Sequence, residues 1–315
     1  MRKKTVKVFA PASIANVGAG FDVLGVALHK PGDVIIAKRG PVPGLQFSVK
    51  TTVDDVPLSA NDNLAAYVAN NMMADLRPSF GIEMVLHKLM PIGSGLGSSA
   101  ASCVASAMAV NALLAKPLQK YDLLPYALAG EQKISGGYHA DNVAASLFGG
   151  GCIVRNENKL DIVPFVVHRS LTWVLVHPHY VIKTAEARRV LPASLPLHQI
   201  IQQLGNTSSF VLGLIQGNAK LIRKTMIDHI AEPVRREMVP GYSEMKQAAL
   251  SAGAIGCAIS GSGPSLFALT KSKAIAKKVA LQMQKALKNA TGLESDYYIS
   301  TTNVSGAKIL QEEAK

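Results

Sequence analysis

The stretch PIGSGLGSSAAS, from Pro91 to Ser102, carries glycine at every second position and then continues into serine and alanine. This spacing differs from the two common phosphate-binding fingerprints. A Walker A loop needs a lysine directly after its last glycine, and none follows Gly97. The dinucleotide fingerprint needs two residues between its second and third glycines, and only Leu96 stands there. The stretch is therefore either an unusual structural turn or an anion-binding loop of another kind.

A predicted strand precedes this loop and a predicted helix follows it. GIEMVLHKLM alternates in polarity, as a half-buried strand does, and SSAASCVASAMAVNALLAK is alanine-rich and free of Gly and Pro. We expect Ser98 or Ser99 to cap the helix. Glycine allows positive φ and close approach of an anion, and the first helical turn presents unpaired N–H groups to it. From the residues alone, a tight strand–helix turn without a ligand stays open as the alternative.

Composition indicates a globular chain in a reducing compartment. Of 315 residues, 48% are hydrophobic and 17% charged, which suits one large domain or two. Cys103, Cys152 and Cys257 lie far apart, which argues against a zinc or disulfide framework. The basic start is interrupted by Pro11, and no stretch approaches the roughly 20 apolar residues of a membrane span. We expect a cytoplasmic protein with no membrane partner.

The net charge of +12 is the main anomaly of composition. Its densest basic run, residues 271–288, resembles an amphipathic surface helix in which Ile275, Val279, Leu281 and Met283 alternate with lysines. We interpret the charge as solvated surface lysine. A nucleic-acid-binding protein is the remote alternative, but aromatic residues make up only 5% and are scattered. We therefore expect no nucleic-acid partner.

Predicted strands and helices do not alternate regularly along the chain. TVKVFA, DVIIAK and LQFSVK are short β-branched runs, and NDNLAAYVANNMMADL predicts a helix capped by Asn61 or Asp62. This mixture predicts an α+β fold rather than a doubly wound parallel sheet. We place a domain boundary near residue 168, which gives an N-terminal domain of residues 1–168 and a C-terminal domain of residues 169–315.

Two further stretches stand with the glycine loop in a recognisable order. APASIANVGAGFDVLGVAL precedes it and GCAISGSGPSLFAL follows it. Together the three resemble the motifs of the GHMP kinases. GGYHADNVAASLFGG, TAEARRVLP and AEPVRREMVPGY are similar to the homoserine kinase branch. The resemblance covers residues 5–305. It implies a two-domain GHMP kinase fold, with an N-terminal domain like the second domain of ribosomal protein S5 and a ferredoxin-like C-terminal domain.

The resemblance also implies an activity, its cofactors and an assembly. The expected reaction is the ATP- and Mg²⁺-dependent phosphorylation of the γ-hydroxyl of L-homoserine, on the route to threonine, by a homodimer. A GHMP kinase for another small alcohol such as mevalonate is the alternative. Mevalonate has no ammonium group, whereas Asn16 and Asp22 lie in a glycine-containing loop suited to grip one.

The resemblance assigns a substrate site to residues from distant parts of the sequence. Arg188 and Arg235, each the first of an arginine pair, are expected to clamp the carboxylate, because the planar guanidinium matches it. Loop chemistry for the asparagine and aspartate, and solvated surface positions for the arginines, remain the alternatives. The expected substrate-binding residues are Asn16, Asp22, His139, Asn142, Thr184, Arg188 and Arg235.

The nucleotide and metal sites are expected around the glycine loop. Glu131 matches the family's Mg²⁺ carboxylate and would act with Ser98 or Ser99, which suffices because Mg²⁺ takes few protein oxygens. The expected nucleotide-binding residues are Asp62, Asn63, Lys88, Pro91, Ile92, Gly93, Ser94, Gly95, Leu96, Gly97, Ser98, Ser99, Ala100, Ala101, Gly261 and Gly263.

The expected catalytic residues are Asn142, Arg188 and Glu131. Asn142 stands eleven residues after Glu131, where mevalonate and galactose kinases carry an aspartate that can act as base. An asparagine cannot accept the proton in that way. Phosphoryl transfer through a loose transition state depends mainly on positioning and charge neutralisation. The sequence therefore predicts that Asn142 orients the acceptor hydroxyl.

Overall fold

The computed structural model of the chain describes residues 3–135 and 140–314, so the predicted site residue His139 lies outside the described residues. The strands are β1 (Lys3–Ala15), β2 (Leu24–Gly40), β3 (Leu45–Thr51), β4 (Gly81–Lys88), β5 (Gly151–Asn156), β6 (Asp161–Phe165), β7 (Thr172–Pro178), β8 (Gly256–Ile259), β9 (Leu266–Thr270), β10 (Ser295–Ser300) and β11 (Lys308–Ala314). The helices are α1 (Leu64–Leu76), α2 (Ser98–Leu113), α3 (Leu124–Ser135), α4 (Ala140–Phe148), α5 (Thr184–Arg189), α6 (Leu197–Gln216), α7 (Ala219–Thr225), α8 (Glu232–Arg235), α9 (Tyr242–Ser251) and α10 (Lys273–Thr291).

The first sheet has seven strands, six of which, β1 to β6, come from the N-terminal half of the chain. Its main path runs β11-β1-β2-β4-β3, and β5 and β6 continue from β2. All pairs are antiparallel except β3 with β4. Helix α2 contacts β1 and β2 and is buried on nearly every side. Its small side chains, mainly alanine and serine, allow this close approach, so the N-terminus of α2 is held firmly beside the sheet.

The second sheet has four antiparallel strands in the order β10-β7-β9-β8. Strand β7 is buried along its whole length. Trp173 and Leu175 point into the core shared with the first sheet, whereas Val174 and Val176 point into a second core against α9 and α10. Because strand side chains alternate between faces, a strand buried on both faces carries apolar residues at consecutive positions, as Trp173–Val176 do.

The last strand returns to the beginning of the chain. Strand β11 pairs with β1 in the first sheet, although it follows the four strands of the second. The boundary near residue 168 falls between β6 and β7 and stays a prediction. Within residues 3–135 and 140–314, no helix combines the length and apolar character that a membrane crossing needs.

Two predicted helix caps are wrong. Helix α1 is capped by Asn63, whose side-chain oxygen accepts from the Ala65 amide at 3.0 Å, rather than by Asn61 or Asp62. Helix α2 is preceded by Gly97 in the left-handed region, with no side-chain cap, rather than by Ser98 or Ser99. Gly97 can take the positive φ that a serine resists. The first N–H groups of α2 are thus left without a capping side chain.

The amphipathic helix predicted for residues 271–288 is confirmed as α10, but two of the four apolar residues named for it are exposed. The buried face of α10 repeats every three or four residues and includes Val279 and Met283, whereas Ile275 and Leu281 are exposed. The 3.6-residue turn of the helix places Ile275 and Leu281 outside this buried face.

Candidate active site

A cavity of about 490 Å³ lies between the glycine loop and segments from the second half of the chain. The loop after β4 and the start of α2 form one wall, and residues 181–188 face them. Asn16 and Asp22 enter from the loop after β1, and Arg235 lines the cavity beside Gly261, which packs against Gly95 of the glycine loop. The cavity therefore joins the expected nucleotide site to the expected amino-acid site.

The three glycines of the loop all adopt left-handed backbone conformations. Gly93, Gly95 and Gly97 have φ of +62°, +77° and +62°. A Cβ atom on Gly95 would lie 2.3 Å from the carbonyl oxygen of Ser260, and one on Gly97 would lie 2.1 Å from Oγ of Ser13. The regular glycine spacing is thus required by backbone conformation at all three positions, and close neighbours add to the requirement, most of all at Gly95 and Gly97.

The third motif packs directly against the glycine loop. Oγ of Ser260 donates to the Gly95 carbonyl oxygen at 2.6 Å, and Oγ of Ser265 donates to that of Ser94 at 2.5 Å. His177 lies 3.2 Å from Oγ of Ser265 through Nδ1. Burial, with a smaller contribution from a neighbouring histidine, lowers the pKa of His177 to about 4. A neutral ring therefore helps to hold this contact between the second sheet and the loop.

Lys88 is anchored beneath the first turn of α2. Its Nζ donates to Oδ2 of Asp33 at 2.5 Å, to the Ser98 carbonyl oxygen at 2.7 Å and to Oγ of Ser102 at 2.8 Å. The side chain is buried, and its strand β4 lies between β2 and β3 rather than at an edge. The lysine lines the cavity, but its charge is already neutralised by Asp33.

The loop after β1 is held in shape by Asn16. This residue has φ of +54°; its amide nitrogen Nδ2 donates to the Gly261 carbonyl oxygen at 3.0 Å, and its Oδ1 accepts from the Asp22 backbone at 2.8 Å. The Asp22 carboxylate forms an ion pair with Nη1 of Arg188 at 2.6 Å. The carboxylate and the guanidinium assigned to opposite ends of the substrate thus lie next to each other.

Arg235 is buried in the wall of the cavity. Its Nε donates to the Ala187 carbonyl oxygen and its Nη1 to that of Gly261, both at 3.1 Å. The guanidinium lies 5.1 Å from the centre of the Phe21 ring, and that of Arg188 lies 5.8 Å from it. Burial lowers the pKa of Arg235. The two predicted clamp arginines are therefore brought to one side of the cavity, beside Asp22.

Sequence reasoning missed Asp141, which lines the cavity and is almost fully buried. Its Oδ1 accepts from the backbone N–H of Asn142 at 2.8 Å, and its Oδ2 accepts from the backbone N–H of Asn16 at 3.4 Å. Burial and the nearby Asp22 charge raise the pKa of Asp141 to about 7. Its position directly before Asn142 was the available sequence signal.

Family models match both halves of the chain. Residues 63–150 match the GHMP kinases N terminal domain, and residues 210–289 match the GHMP kinases C terminal domain. The chain belongs to the GHMP kinase family. Homoserine kinase of Chlorobaculum tepidum is 39% identical to this GHMP kinase over 98% of both chains, and that of Xylella fastidiosa (strain 9a5c) is 37% identical over 96% and 94%.

Solved structures show the same two-domain α+β GHMP kinase fold. The crystal structure of homoserine kinase from Cytophaga hutchinsonii matches this GHMP kinase with a TM-score of 0.92 and 43% identity, over 98% of both chains. L. major mevalonate kinase, solved in complex with R-mevalonate, matches with a TM-score of 0.74 and 17% identity over 96% and 97%. The second likeness concerns the fold alone.

Glu131 and Asn142 of this GHMP kinase lie on the cavity wall near the start of α2. Asn142 Oδ1 accepts from Oγ of Ser13 at 2.8 Å. Glu131 is buried and lines the same cavity as Ser98 and Ser99. In the described ranges no group of three or more His, Cys, Asp or Glu side chains could hold a metal ion. One carboxylate and two hydroxyls are nevertheless a hard-oxygen set that fits Mg²⁺ shared with phosphates.

Most predicted nucleotide-binding residues line the cavity, and five do not. Asp62, Asn63, Lys88, Ile92, Gly93, Ser94, Gly95, Gly97, Ser98, Ser99 and Gly261 line it. Pro91, Leu96, Ala100, Ala101 and Gly263 lie outside its lining. Leu96, Ala100 and Ala101 are fully buried in the core, where they support the loop. The cavity also recruits Asp55, Val56, Pro57 and Val181–Lys183, which sequence reasoning did not assign.

Proposed function

We propose that this GHMP kinase transfers the γ-phosphoryl group of ATP to the γ-hydroxyl of L-homoserine and forms O-phospho-L-homoserine for threonine synthesis. One observation carries the proposal: a carboxylate and two guanidinium groups lie together in a cavity that a glycine loop and a helix N-terminus also line. Relatives named homoserine kinase that match nearly the whole chain support it.

The amino-acid end of the cavity suits a zwitterion. Asp22, held by Asn16, would bind the ammonium group, while Arg188 and Arg235 would bind the carboxylate with help from Thr184. Since Asp22 and Arg188 already form an ion pair, a bound zwitterion gives each of them a partner of opposite charge. Mevalonate would satisfy the arginines alone and leave Asp22 without an ammonium partner. The site therefore favours an amino acid over mevalonate.

The nucleotide end of the cavity suits a polyphosphate. The uncapped first turn of α2 presents N–H groups, and the adjacent glycines allow phosphate oxygens to approach the backbone. Lys88 fixes this turn through the Ser98 carbonyl oxygen. Glu131 with Ser98 or Ser99 would hold Mg²⁺, which when bound neutralises phosphate charge. The family's co-substrate ATP fits this arrangement.

Asn142 is positioned to orient the acceptor hydroxyl. Because its Oδ1 accepts from Ser13, its NH₂ group is left to donate a hydrogen bond within the cavity. An amide cannot remove the hydroxyl proton, but a loose transition state needs little prior deprotonation. Asp141 would hold Asn142 and Asn16 in place through their backbone amides.

The proposal is tested by ATP consumption with L-homoserine, L-serine, L-threonine, mevalonate and galactose in the presence of Mg²⁺. Turnover should be confined mainly to L-homoserine. Arg188→Leu should raise the KM for L-homoserine by about 10- to 100-fold, since a hydrogen bond to a charged group contributes about 1.5–3 kcal/mol. The KM for ATP should change little.

The neighbouring Arg189→Leu variant is the matched control, because both arginines are exposed on the same short helix. It should behave like the wild type. Turnover of mevalonate or galactose alone would be consistent with the GHMP kinase family but would overturn L-homoserine as the substrate. Equal effects of the two substitutions would overturn the carboxylate clamp.

We also propose that the enzyme is a homodimer. Helix α6 carries a row of exposed apolar side chains on the face turned away from the core, namely Leu197, Ile201, Leu204, Leu212 and Ile215. Contiguous apolar surface of this kind is typical of protein–protein contacts. A second copy of the chain would bury it.

A further inference from the structure

The charge of the cavity poses a problem for nucleotide binding. In the described ranges five carboxyl-bearing side chains and four basic side chains line it. The carboxyl groups belong to Asp22, Asp55, Asp62, Glu131 and Asp141, and the basic groups to Lys88, Lys183, Arg188 and Arg235. A polyphosphate brings several more negative charges, so the disposition of the four basic groups decides how the transferred phosphoryl group is stabilised.

Three of the four basic groups are already engaged. Lys88 is paired with Asp33 and held under the first turn of α2. Arg188 is paired with Asp22, and the buried Arg235 donates to two backbone carbonyl oxygens. In contrast, the ammonium of Lys183 has no hydrogen bond or ion pair with any described residue. It is the cavity's one uncommitted cation within residues 3–135 and 140–314.

Lys183 also lies between a segment that covers the glycine loop and the helix that carries Arg188. The residues before it cover the glycine loop: a Cβ atom on Gly93 would lie 2.7 Å from Cγ1 of Val181 and 3.8 Å from the Ile182 carbonyl oxygen. The residues after it form α5, which brings Arg188 to the amino-acid end. An exposed lysine on a flexible stem at this junction can reach the phosphoryl group from the side opposite the loop.

We propose that the ammonium of Lys183 contacts the terminal phosphoryl group of the nucleotide and stabilises the charge on it during transfer. The proposal rests on the proposed function only for the identity of the acceptor. Lys183 thereby supplies a cation that Lys88, fixed by Asp33, does not.

The test compares Lys183→Met and Lys183→Arg with Lys277→Met, which removes an exposed lysine from α10 outside the cavity. Lys183→Met should lower kcat by about 10- to 100-fold, the effect of one hydrogen bond to a charged group. It should weaken binding of a non-hydrolysable ATP analogue with Mg²⁺ by about 10-fold and leave ADP binding unchanged. Lys183→Arg should recover much of both losses because it keeps the charge.

Three results would overturn the proposal. Lys183→Met could behave like Lys277→Met, it could weaken the ATP analogue and ADP equally, or it could raise only the KM for L-homoserine. The nucleotide titrations need no acceptor. Suppose that the wild type does not phosphorylate L-homoserine, but that Lys183→Met still binds the ATP analogue more weakly and ADP equally well. That pair of results would overturn the proposed acceptor and support the role of Lys183. If the wild type phosphorylates L-homoserine but Lys183→Met shows no selective weakening of ATP-analogue binding, only the proposed role of Lys183 would be overturned.

Discussion

At the scale of single residues, Asp141 is a buried carboxyl group of the site whose pKa is displaced by the fold. It accepts hydrogen bonds from two backbone amides that belong to predicted substrate residues, yet burial and the charge of Asp22 raise its pKa from 3.8 to about 7. A carboxyl group with a raised pKa binds its proton more tightly in the folded than in the unfolded chain. Its favourable contribution to stability is therefore present below about pH 4 and is lost as the pH rises to about 7.

We predict that Asp141→Asn flattens this dependence. The free energy of unfolding of the wild type should fall, relative to that of the variant, by at most about 4 kcal/mol between pH 4 and pH 7, since one pKa unit corresponds to about 1.36 kcal/mol. Urea unfolding across this range measures the difference. His177, with a pKa of about 4, acts in the opposite direction over the same range and cancels in the comparison.

The exposed Asp54→Asn variant is the control and should follow the wild type. A constant difference between wild type and Asp141→Asn over the whole range would show that Asp141 does not take up its proton on folding.

At the scale of elements, helix α6 has two faces with different tasks. On one face, Gln203 and Thr207 donate to the Ala19 carbonyl oxygen and so support the loop after β1, which carries Asn16 and Asp22. On the other, exposed leucines and isoleucines recur at helical spacing. An amphipathic helix normally buries its apolar stripe against its own core, so an exposed stripe calls for another partner.

We predict that Leu204→Glu dissociates the dimer. Light scattering should give the wild type a mass of about twice the 33.3 kDa of one chain, and the variant should raise the dimer dissociation constant at least about 10-fold through one buried charge. Leu281→Glu, an equally drastic change at an exposed leucine of α10, should leave the dimer intact. A monomeric wild type, or dissociation by Leu281→Glu alone, would contradict the assignment of this face.

At the scale of the whole molecule, residues 301–307 fasten the two sheets together. The backbone amide of His29 donates to the Thr301 carbonyl oxygen. The amide of Gly150 donates to the Asn303 carbonyl oxygen, and the amide of Asn303 donates to that of Ala27. The single tryptophan of the chain, Trp173 on β7, donates from Nε1 to Oγ1 of Thr302 at 2.9 Å. The glycine loop and the third motif add further contacts between the two halves.

We predict that the molecule unfolds as one cooperative unit. Trp173 fluorescence, which reports on the second sheet, and far-UV circular dichroism, which reports on all helices, should give the same midpoint in urea. Thr302→Val should shift both midpoints together, by about 1 kcal/mol in the free energy of unfolding, because it removes one partly buried hydrogen bond. Separate midpoints would show that the two sheets unfold independently.

The sequence by itself determined the local features and the family. The glycines at 93, 95 and 97 predicted a loop of special backbone conformation, because only glycine takes positive φ without cost. The alanine-rich run predicted α2, and three motifs in order identified the GHMP kinases. Such features depend on residues near one another in the chain, so propensity and spacing reveal them.

Only the tertiary structure decided how the site is put together. The pairing of Lys88 with Asp33 joins residues 55 positions apart, and the contact of Asn16 with Gly261 spans 245. Sequence reasoning assigned Lys88 to the nucleotide without its partner Asp33 and missed Asp141 and Lys183, because burial, charge pairing and access to a cavity depend on which distant segments meet. Local patterns fix the conformation of each segment, whereas the charge balance of a site is fixed when the chain closes around it.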